Sequence, residues 1–177
     1  MLHTTFRKLH KEGACAPSYL KLAKTLGGIR KYGKDTPIPL DKVLESNGLD
    51  DALWCLRCIN ESAGMEIILF KCDCAERVLP IFEKEYPDDN RPRILIETLR
   101  RFANKEATQE ELARAARAAR ESRAAAWDAR EAANAAVWAT TGDARAVAMA
   151  AWAAGDWGRA EREWQTQRFI KLLEECG

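Results

Sequence analysis

The chain has 177 residues and a formal net charge of +1 at pH 7. This length suffices for one good core, or for one core with a small appended subdomain, and a net charge so close to zero provides no overall field that would steer the protein toward nucleic acid or a membrane. No segment approaches the roughly 18–20 uninterrupted apolar residues of a membrane-spanning helix. The N-terminal residues lack an apolar signal core, so we expect a cytoplasmic protein whose six cysteines are thiols.

Residues 1–48 predict a small helical subdomain with short elements. The pattern predicts a helix over Ser18–Leu26 that ends at two consecutive glycines. A loop is predicted over Lys31–Leu40, because two prolines separated by one residue disfavour regular helix. Asp41 and Asp50 are predicted to cap the next two helices, since aspartate is a preferred N-cap residue.

The segment Met65–Arg101 is the part of the chain around which we expect the rest to be organised. Apolar residues recur at helical spacing over Met65–Tyr86 and cover a wide arc, which predicts a helix with protein on more than one side. Pro80 lies inside this helix and is expected to kink or split it, because proline removes one backbone donor. After a tight polar turn, Pro92 opens a second amphipathic helix.

From Gln109 to Ala154 the composition shifts to alanine and arginine, and alanine has the highest helix propensity. Thr108 and Glu111 form a capping-box pattern at the start of this region. Turn signals at residues 141–143 and 155–156, each with a capping aspartate, predict three antiparallel helices, the last ending near the C-terminus. Because alanine is small, tryptophans are expected to supply much of the buried surface. These tryptophans are Trp127, Trp138 and Trp152.

Together these patterns predict an all-α protein. The expected architecture is a multi-helix bundle with a long alanine-rich helical C-terminal half and a small helical N-terminal subdomain. The predicted domains are a small basic helical subdomain at residues 1–48 and a helical bundle domain at residues 49–177. A coiled coil is disfavoured, because the heptads lack a sustained seam of leucine, isoleucine or valine.

Four cysteines at short spacing are candidate zinc ligands, because thiolates bind zinc and a CxxC pair is a genuine ligand spacing. They are Cys55, Cys58, Cys72 and Cys74. Both pairs fall within helical, apolar patterns, and two residues that are two positions apart on a helix point about 200° away from each other. Free cysteine is also a common small core residue. We therefore expect no metal and no other cofactor, and we keep a structural zinc site as an alternative.

A local excess of basic residues is the basis for a second alternative. Lysine and arginine outnumber aspartate and glutamate by nine to five in residues 1–50, whereas residues 51–100 carry seven basic and ten acidic residues. The alternative is nucleic-acid binding through the basic N-terminal helices. Pro37 and Pro39 fall where a recognition helix would run, so we expect these helices to pack on the bundle as a basic cap.

The sequence gives no sign of an enzyme. The two histidines, His3 and His10, both lie near the N-terminus. The sequence contains no nucleophile elbow, no glycine-rich phosphate loop and no cluster of histidines and carboxylates at metal-ligand spacing. We therefore expect a non-enzymatic protein.

The polar turn between the two central helices has two interpretations. Its acidic and amide side chains can cap the helix that Pro92 opens, and its arginines can pair with Glu83, Glu85 or Asp73 across the hairpin, which would make the turn a structural clamp. Alternatively the turn faces a partner, and its mixed charges then set specificity and association rate more than affinity. The candidate partner-binding residues are Asp88, Asp89, Asn90, Arg91 and Arg93.

The string Cys72–Arg93, with the amphipathic helix and the alanine-rich region after it, resembles a family of helical putative immunity proteins found in bacterial toxin–immunity loci and in phage-related genomes. The resemblance covers about residues 49–154, and it implies an intracellular protein that neutralises a toxin by binding it. It brings no catalytic residues with it. The matching parts are Leu49–Trp54, Cys74-Ala75, Val78-Leu79, Phe82-Glu83, Pro87 and Asp89-Asn90-Arg91-Pro92-Arg93.

We therefore expect a protein that acts by binding another protein, either a toxin or a component of phage or host defence. Neither nucleic acid nor a membrane is an expected partner. The two alternatives are the nucleic-acid-binding protein and the structural zinc-binding protein described above.

Overall fold

The computed structural model describes residues 2–59, 63–125, 134–135, 138–139, 144–154 and 158–176. Within these residues the fold is all-α and multi-helical, with one very small sheet. Two compact units are present, one formed by Met1–Ala63 with Ile170–Gly177 and the other by Gly64–Phe169. The predicted domain boundary after residue 48 stays a prediction.

The elements of the described residues are, in chain order, β1 His3–Thr4, α1 Phe6–Lys11, α2 Ala16–Thr25, α3 Ile29–Tyr32, β2 Ile38–Pro39, α4 Leu40–Asn47, α5 Leu49–Cys55, a 3-10 turn Leu56–Cys58, α6 Gly64–Glu85, α7 Arg91–Ala103, α8 Gln109–Ala125, α9 Ala144–Ala154 and α10 Gly158–Glu175. Among the described residues, no helix is both long and apolar enough to span a bilayer.

The first unit contains the sheet, in which β1 and β2 are antiparallel. The backbone N–H of Leu40 donates to the carbonyl oxygen of Leu2 at 3.0 Å next to this pairing. The loop predicted over Lys31–Leu40 is therefore wrong in part, since β2 lies within it. A two-residue strand accommodates Pro39 because proline is tolerated where its missing N–H is not needed. The register places His3 opposite Pro39 and Thr4 opposite Ile38.

Aromatic packing organises the helices of the first unit around Phe6, which has no exposed surface. Its ring meets the rings of Tyr19 and Tyr32 edge to face, at centroid distances of 5.4 and 6.0 Å. Edge-to-face contact is a favoured arrangement of aromatic pairs. The helix predicted over Ser18–Leu26 is confirmed as α2, which begins earlier because Pro17 occupies its first turn.

Gly48 joins α4 to α5, ending the first helix and beginning the second. Its φ of 94° lies in the left-handed region that favours glycine, and its N–H donates to the carbonyl oxygen of Leu44. The predicted caps Asp41 and Asp50 are wrong, because Pro39 and Gly48 occupy the N-cap positions. Both aspartates lie in the first turn instead, where a negative charge still interacts favourably with the helix dipole.

The second unit is built around α6, which confirms the predicted central helix. The helix continues through Pro80 and is not split there, whereas a kink at Pro80 stays a prediction. It packs against α7 and α9, and α7 packs against α8, which explains the wide apolar arc of its sequence. Its buried residues are Phe70, Cys72, Cys74, Ala75, Val78, Leu79 and Phe82.

The capping box predicted at the start of α8 is confirmed. The backbone N–H of Thr108 donates to Glu111 Oε2 at 2.7 Å, and the backbone N–H of Glu111 donates to Thr108 Oγ1 at 3.2 Å. These two bonds satisfy donors that the first turn of a helix otherwise leaves without partners.

Alanines, rather than tryptophans, form the inward faces of α8 and α9. Trp152 is 40% exposed and Trp138 is partly buried, so each of these two tryptophans contributes less buried surface than a fully enclosed indole would. Small side chains let α8 approach α7 closely and let α9 approach α6 closely. Trp127, the turns predicted at residues 141–143 and 155–156 and their capping aspartates lie outside the described residues. The buried alanines of these helices are Ala115, Ala116, Ala119, Ala144, Ala148, Ala150 and Ala151.

Candidate functional site

The candidate site is the α6–α7 turn, residues 85–91, which joins the two central helices of the second unit. The backbone N–H of Asp89 donates to the carbonyl oxygen of Tyr86 at 3.1 Å, which closes the turn. Asn90 occupies the N-cap position of α7 but makes no side-chain capping bond. Asp89 supplies the cap instead, because its Oδ1 accepts from the backbone N–H of Arg91 at 3.2 Å.

An open groove of about 590 Å³ lies along the α6–α7 turn. Four of the five predicted partner-binding residues line it, whereas Arg93 does not. The structure therefore brings most of the predicted residues to one concave surface. The lining residues are Glu85, Tyr86, Pro87, Asp88, Asp89, Asn90 and Arg91.

A two-pronged ion pair within the turn joins Arg91 to Asp89. Arg91 Nε donates to Asp89 Oδ1 at 2.8 Å, and Arg91 Nη2 donates to Asp89 Oδ2 at 2.5 Å. The guanidinium lowers the pKa of Asp89 to about 2. The predicted pairing of Arg91 across the hairpin is wrong, because the turn places its side chain beside a carboxylate two residues earlier.

A second two-pronged ion pair crosses the hairpin and joins α7 to α6. Arg93 Nε donates to Glu83 Oε1 at 2.5 Å, and Arg93 Nη2 donates to Glu83 Oε2 at 2.8 Å. The predicted pairing of Arg93 with Glu83 is confirmed. Bidentate pairs of this kind fix geometry as well as contributing energy, so this pair holds the last turn of α6 and the first turn of α7 together.

The remaining charged groups make the groove acidic. Glu85 and Asp88 are exposed, and neither side chain forms an ion pair with any residue that the structure describes. The charge of Arg91 is already balanced by Asp89. Tyr86 stacks on Phe82 with a centroid distance of 5.1 Å, which holds an aromatic wall beside these carboxylates. A carboxylate pair next to an aromatic face suits a cationic side chain.

A network of charged residues that the sequence did not predict lies on α6 below the turn. Asp73 Oδ1 accepts from Arg100 Nη2 of α7 at 2.7 Å, and Asp73 Oδ2 accepts from Arg168 Nε of α10 at 2.5 Å. One carboxylate thus joins three helices of the second unit. The partners lie 27 and 95 residues away in the sequence, so no local pattern could have shown them.

Glu161 forms a second such connection and is fully buried. Its Oε2 accepts from Arg77 Nε of α6 at 2.8 Å, and its Oε1 accepts from Gln165 Nε2 at 3.0 Å. The same Gln165 amide donates to the carbonyl oxygen of Ala148 in α9 at 2.9 Å. Buried polar groups that satisfy one another in this way rigidify the helices that carry them.

The four candidate zinc ligands are all buried free thiols. Cys55 and Cys58 belong to the first unit, and Cys72 and Cys74 belong to the second. Burial raises the pKa of Cys72 to about 12. Within the described residues, no group of three or more histidine, cysteine, aspartate or glutamate side chains is placed to hold a metal ion. The zinc alternative and the expectation of no metal both stay predictions.

Some basic residues of the first unit interact with other groups of the protein, and others are exposed. Arg7 pairs with Asp35, and Lys8 Nζ donates to the carbonyl oxygen of Ile59 at 2.7 Å. Lys24 and Lys31 are exposed. The nucleic-acid alternative stays a prediction.

We expect the Asp89 carboxyl to titrate with a midpoint near pH 2, because ionised Asp89 is stabilised by Arg91. Its pKa in the folded protein lies below the ordinary value of about 3.9. The stabilisation is therefore present above about pH 4 and is lost as the pH falls toward 2. A ¹³C NMR titration of the carboxyl carbon measures this midpoint. In Arg91→Ala the midpoint should rise toward the ordinary value, and equal midpoints in the two proteins would contradict the assignment.

The family described as Imm-5 like putative immunity protein matches residues 57–155, which is 99 of the 177 residues. No curated protein and no solved structure matches the chain. The matched range contains α6, α7, the α6–α7 turn and the alanine-rich helices α8 and α9. It confirms the family resemblance found in the sequence. The chain therefore belongs to the Imm-5-like family of putative immunity proteins.

Proposed function

We propose that this protein is a non-enzymatic immunity protein that acts in the cytoplasm and neutralises a toxin, or a component of phage or host defence, by binding it directly. The family match over residues 57–155 is the observation that carries this proposal. The matched range includes the whole α6–α7 turn, which supports a function in that part of the chain.

The α6–α7 turn is the proposed contact surface. Two bidentate ion pairs, Arg91–Asp89 and Arg93–Glu83, fix its backbone and its flanking helices. A surface that is already ordered loses little conformational entropy on binding, so more of its interaction energy appears as affinity. This arrangement also reconciles the two interpretations of the turn, because the clamping residues hold the remaining residues in place for a partner.

The exposed groups of the turn favour a partner that presents basic side chains. Glu85 and Asp88 are exposed carboxylates on the groove, and Asn90 adds an exposed amide beside them. Opposite charge on the partner would raise the association rate and suppress binding of wrong partners. The expected complex therefore associates more slowly as the salt concentration rises.

Co-expression with a toxic protein encoded beside this chain's own gene tests the function. Cells that express the toxin alone should stop growing, cells that also express this chain should grow, and the two purified proteins should form a stoichiometric complex. If the chain protects no cells from the neighbouring gene products and binds none of them, the proposed function is wrong.

A charge-neutralising double variant, Glu85→Gln with Asp88→Asn, tests the contact surface separately. We expect its association rate with the toxin to fall about three- to tenfold at low salt, because attraction to the partner is weakened. The matched control is Glu110→Gln with Glu163→Gln, which removes two exposed carboxylates elsewhere in the second unit and should leave the rate unchanged. Equal rates for the double variant and the unaltered protein would show that the partner binds another surface.

A further inference from the structure

The first unit contains two buried thiols, Cys55 and Cys58, that are held close to each other by one turn of the backbone. Cys55 is the last residue of α5, and Cys58 is the last residue of the 3-10 turn that follows directly. Side chains three residues apart eclipse each other in a 3-10 helix. The Cys58 thiol accordingly reaches back and donates to the carbonyl oxygen of Cys55 at 3.3 Å. The Cys55 thiol is in turn hydrogen-bonded to the Cys58 side chain, so the two sulfurs face each other within one turn.

A buried hydroxyl also faces this thiol pair. Thr4 Oγ1 lies 2.8 Å from the carbonyl oxygen of Cys58 and 3.6 Å from Cys58 Sγ, and Thr4 has no exposed surface. Its single hydroxyl proton thus has two acceptors within reach. The ammonium of Lys8 is held nearby by its bond to the carbonyl oxygen of Ile59. A thiolate at Cys58 would have a hydroxyl donor and the positive charge of Lys8 in its surroundings, together with the negative charge of Glu12.

The two thiols differ in how readily each loses its proton. The pKa of Cys58 lies below the ordinary value of a thiol, because the hydrogen bonds from Cys55 and Thr4 and the charge of Lys8 outweigh the burial and the Glu12 carboxylate, which raise it. The pKa of Cys55 is raised, because its proton is held in the bond to Cys58 and because the thiol is buried. A thiolate is the reactive form of cysteine. Cys58 is therefore the nucleophile of the pair, and Cys55 is placed to react second.

We propose that Cys55 and Cys58 form a redox site at which a small peroxide closes an intramolecular disulfide. The size of the oxidant follows from burial, since Cys55 is 4% exposed and Cys58 is 3% exposed, which excludes a bulky disulfide reagent.

The disulfide forms in two steps. The Cys58 thiolate attacks one peroxide oxygen, so that an S–O bond forms, the O–O bond breaks and the leaving hydroxide is protonated to water. The Cys55 sulfur then attacks the Cys58 sulfenic acid, so that the S–S bond forms, the S–O bond breaks and a second water leaves with the Cys55 proton. The sulfur pair loses two electrons, and hydrogen peroxide is reduced to two molecules of water.

The turn can accommodate the product after a small adjustment. A disulfide needs Cβ atoms about 3.5–4.5 Å apart, whereas helical residues three positions apart have Cβ atoms about 5–6 Å apart. The tighter 3-10 turn shortens this separation. Cys72 and Cys74 provide an internal contrast, because they lie two residues apart in the middle of α6 and point in different directions.

Peptide mapping of the oxidised protein tests the proposal. The full chain is treated with hydrogen peroxide, alkylated, and digested with trypsin without reduction. Arg57 lies between the two cysteines, so trypsin separates them and a disulfide appears as two peptides joined together. We expect this joined pair as the main disulfide product and no disulfide between Cys72 and Cys74. Absence of the joined pair in a sample whose exposed Cys15 has been oxidised would overturn the proposal.

Two variants test the assigned order of reaction. In Cys55→Ser the second step is blocked, so dimedone, which labels sulfenic acids, should label Cys58. Thr4→Val keeps the shape of the side chain but removes the hydroxyl, and it should slow disulfide formation about tenfold, because the thiolate loses a donor. The matched control is Thr25→Val, which removes an exposed hydroxyl elsewhere in this unit and should leave the rate unchanged. Dimedone labelling at other cysteines but not at Cys58 would overturn the assignment.

Discussion

Replacing Phe70 with alanine is expected to lower the free energy of unfolding by about 3–5 kcal/mol. Phe70 has no exposed surface on α6, and its ring meets the ring of Phe169 edge to face at a centroid distance of 6.2 Å. The alanine would remove the buried ring and leave a cavity, and the aromatic pair itself contributes about 0.5–1.5 kcal/mol beyond the area that it buries. Urea denaturation followed by tryptophan fluorescence measures the change.

The control for this prediction is Met65→Ala on the same helix. Met65 is 40% exposed, and exposed positions usually change the unfolding free energy by less than about 0.5 kcal/mol. Phe70→Leu should give an intermediate loss, because leucine fills part of the cavity. Equal losses of unfolding free energy for Phe70→Ala and Met65→Ala would contradict the assignment of Phe70 to the core.

Replacing Glu161 with alanine is expected to lower the free energy of unfolding by about 3 kcal/mol. The substitution removes the buried acceptor of both Arg77 and Gln165. Removing one member of a buried charged pair is costly because the other member keeps its charge without the partner that offset its desolvation. Arg77 is one-third exposed, which limits the expected loss to the lower end of the range for buried pairs. The same urea denaturation measures it.

Glu163 offers a matched control on the same helix, two residues away. It is exposed, so Glu163→Ala should change the unfolding free energy by less than about 0.5 kcal/mol. Glu161→Gln retains one oxygen acceptor without the negative charge and should fall between the two alanine variants. Equal losses for Glu161→Ala and Glu163→Ala would contradict the structural importance of this buried carboxylate.

The long helices could be predicted from sequence because their signals are local. The predicted helix over Met65–Tyr86 agrees with α6 to within one residue at each end, since its apolar spacing is visible within the segment itself. The β1–β2 pairing was missed, because it joins residues that are some 35 positions apart in very short strands. The predicted caps at Asp41 and Asp50 are wrong because the start of each helix depends on other residues. The start of α4 depends on the hydrogen bond from Leu40 to Leu2, and the start of α5 depends on the backbone of Gly48.

The candidate site shows the same division between local and distant interactions. The pairing of Arg93 with Glu83 was predictable, because a hairpin brings the ends of its two helices together. The partner of Arg91 depended on the path of the turn, which composition does not specify. The sequence allows Asp73 as a partner for the turn arginines, but in the structure its oxygens bind Arg100 and Arg168. Those contacts exist only after α7 and α10 have packed against α6.

The alanine-lined faces of α8 and α9 determine which residues of these helices can be substituted. Alanine has no side-chain rotamers to lose, so these helices pack without that entropic cost. An inward alanine can be enlarged only at the expense of the close helix approach. The outward arginines of α8, Arg114, Arg117 and Arg120, are exposed and can be exchanged with little loss. Related chains can therefore keep one helical scaffold while their exposed residues vary.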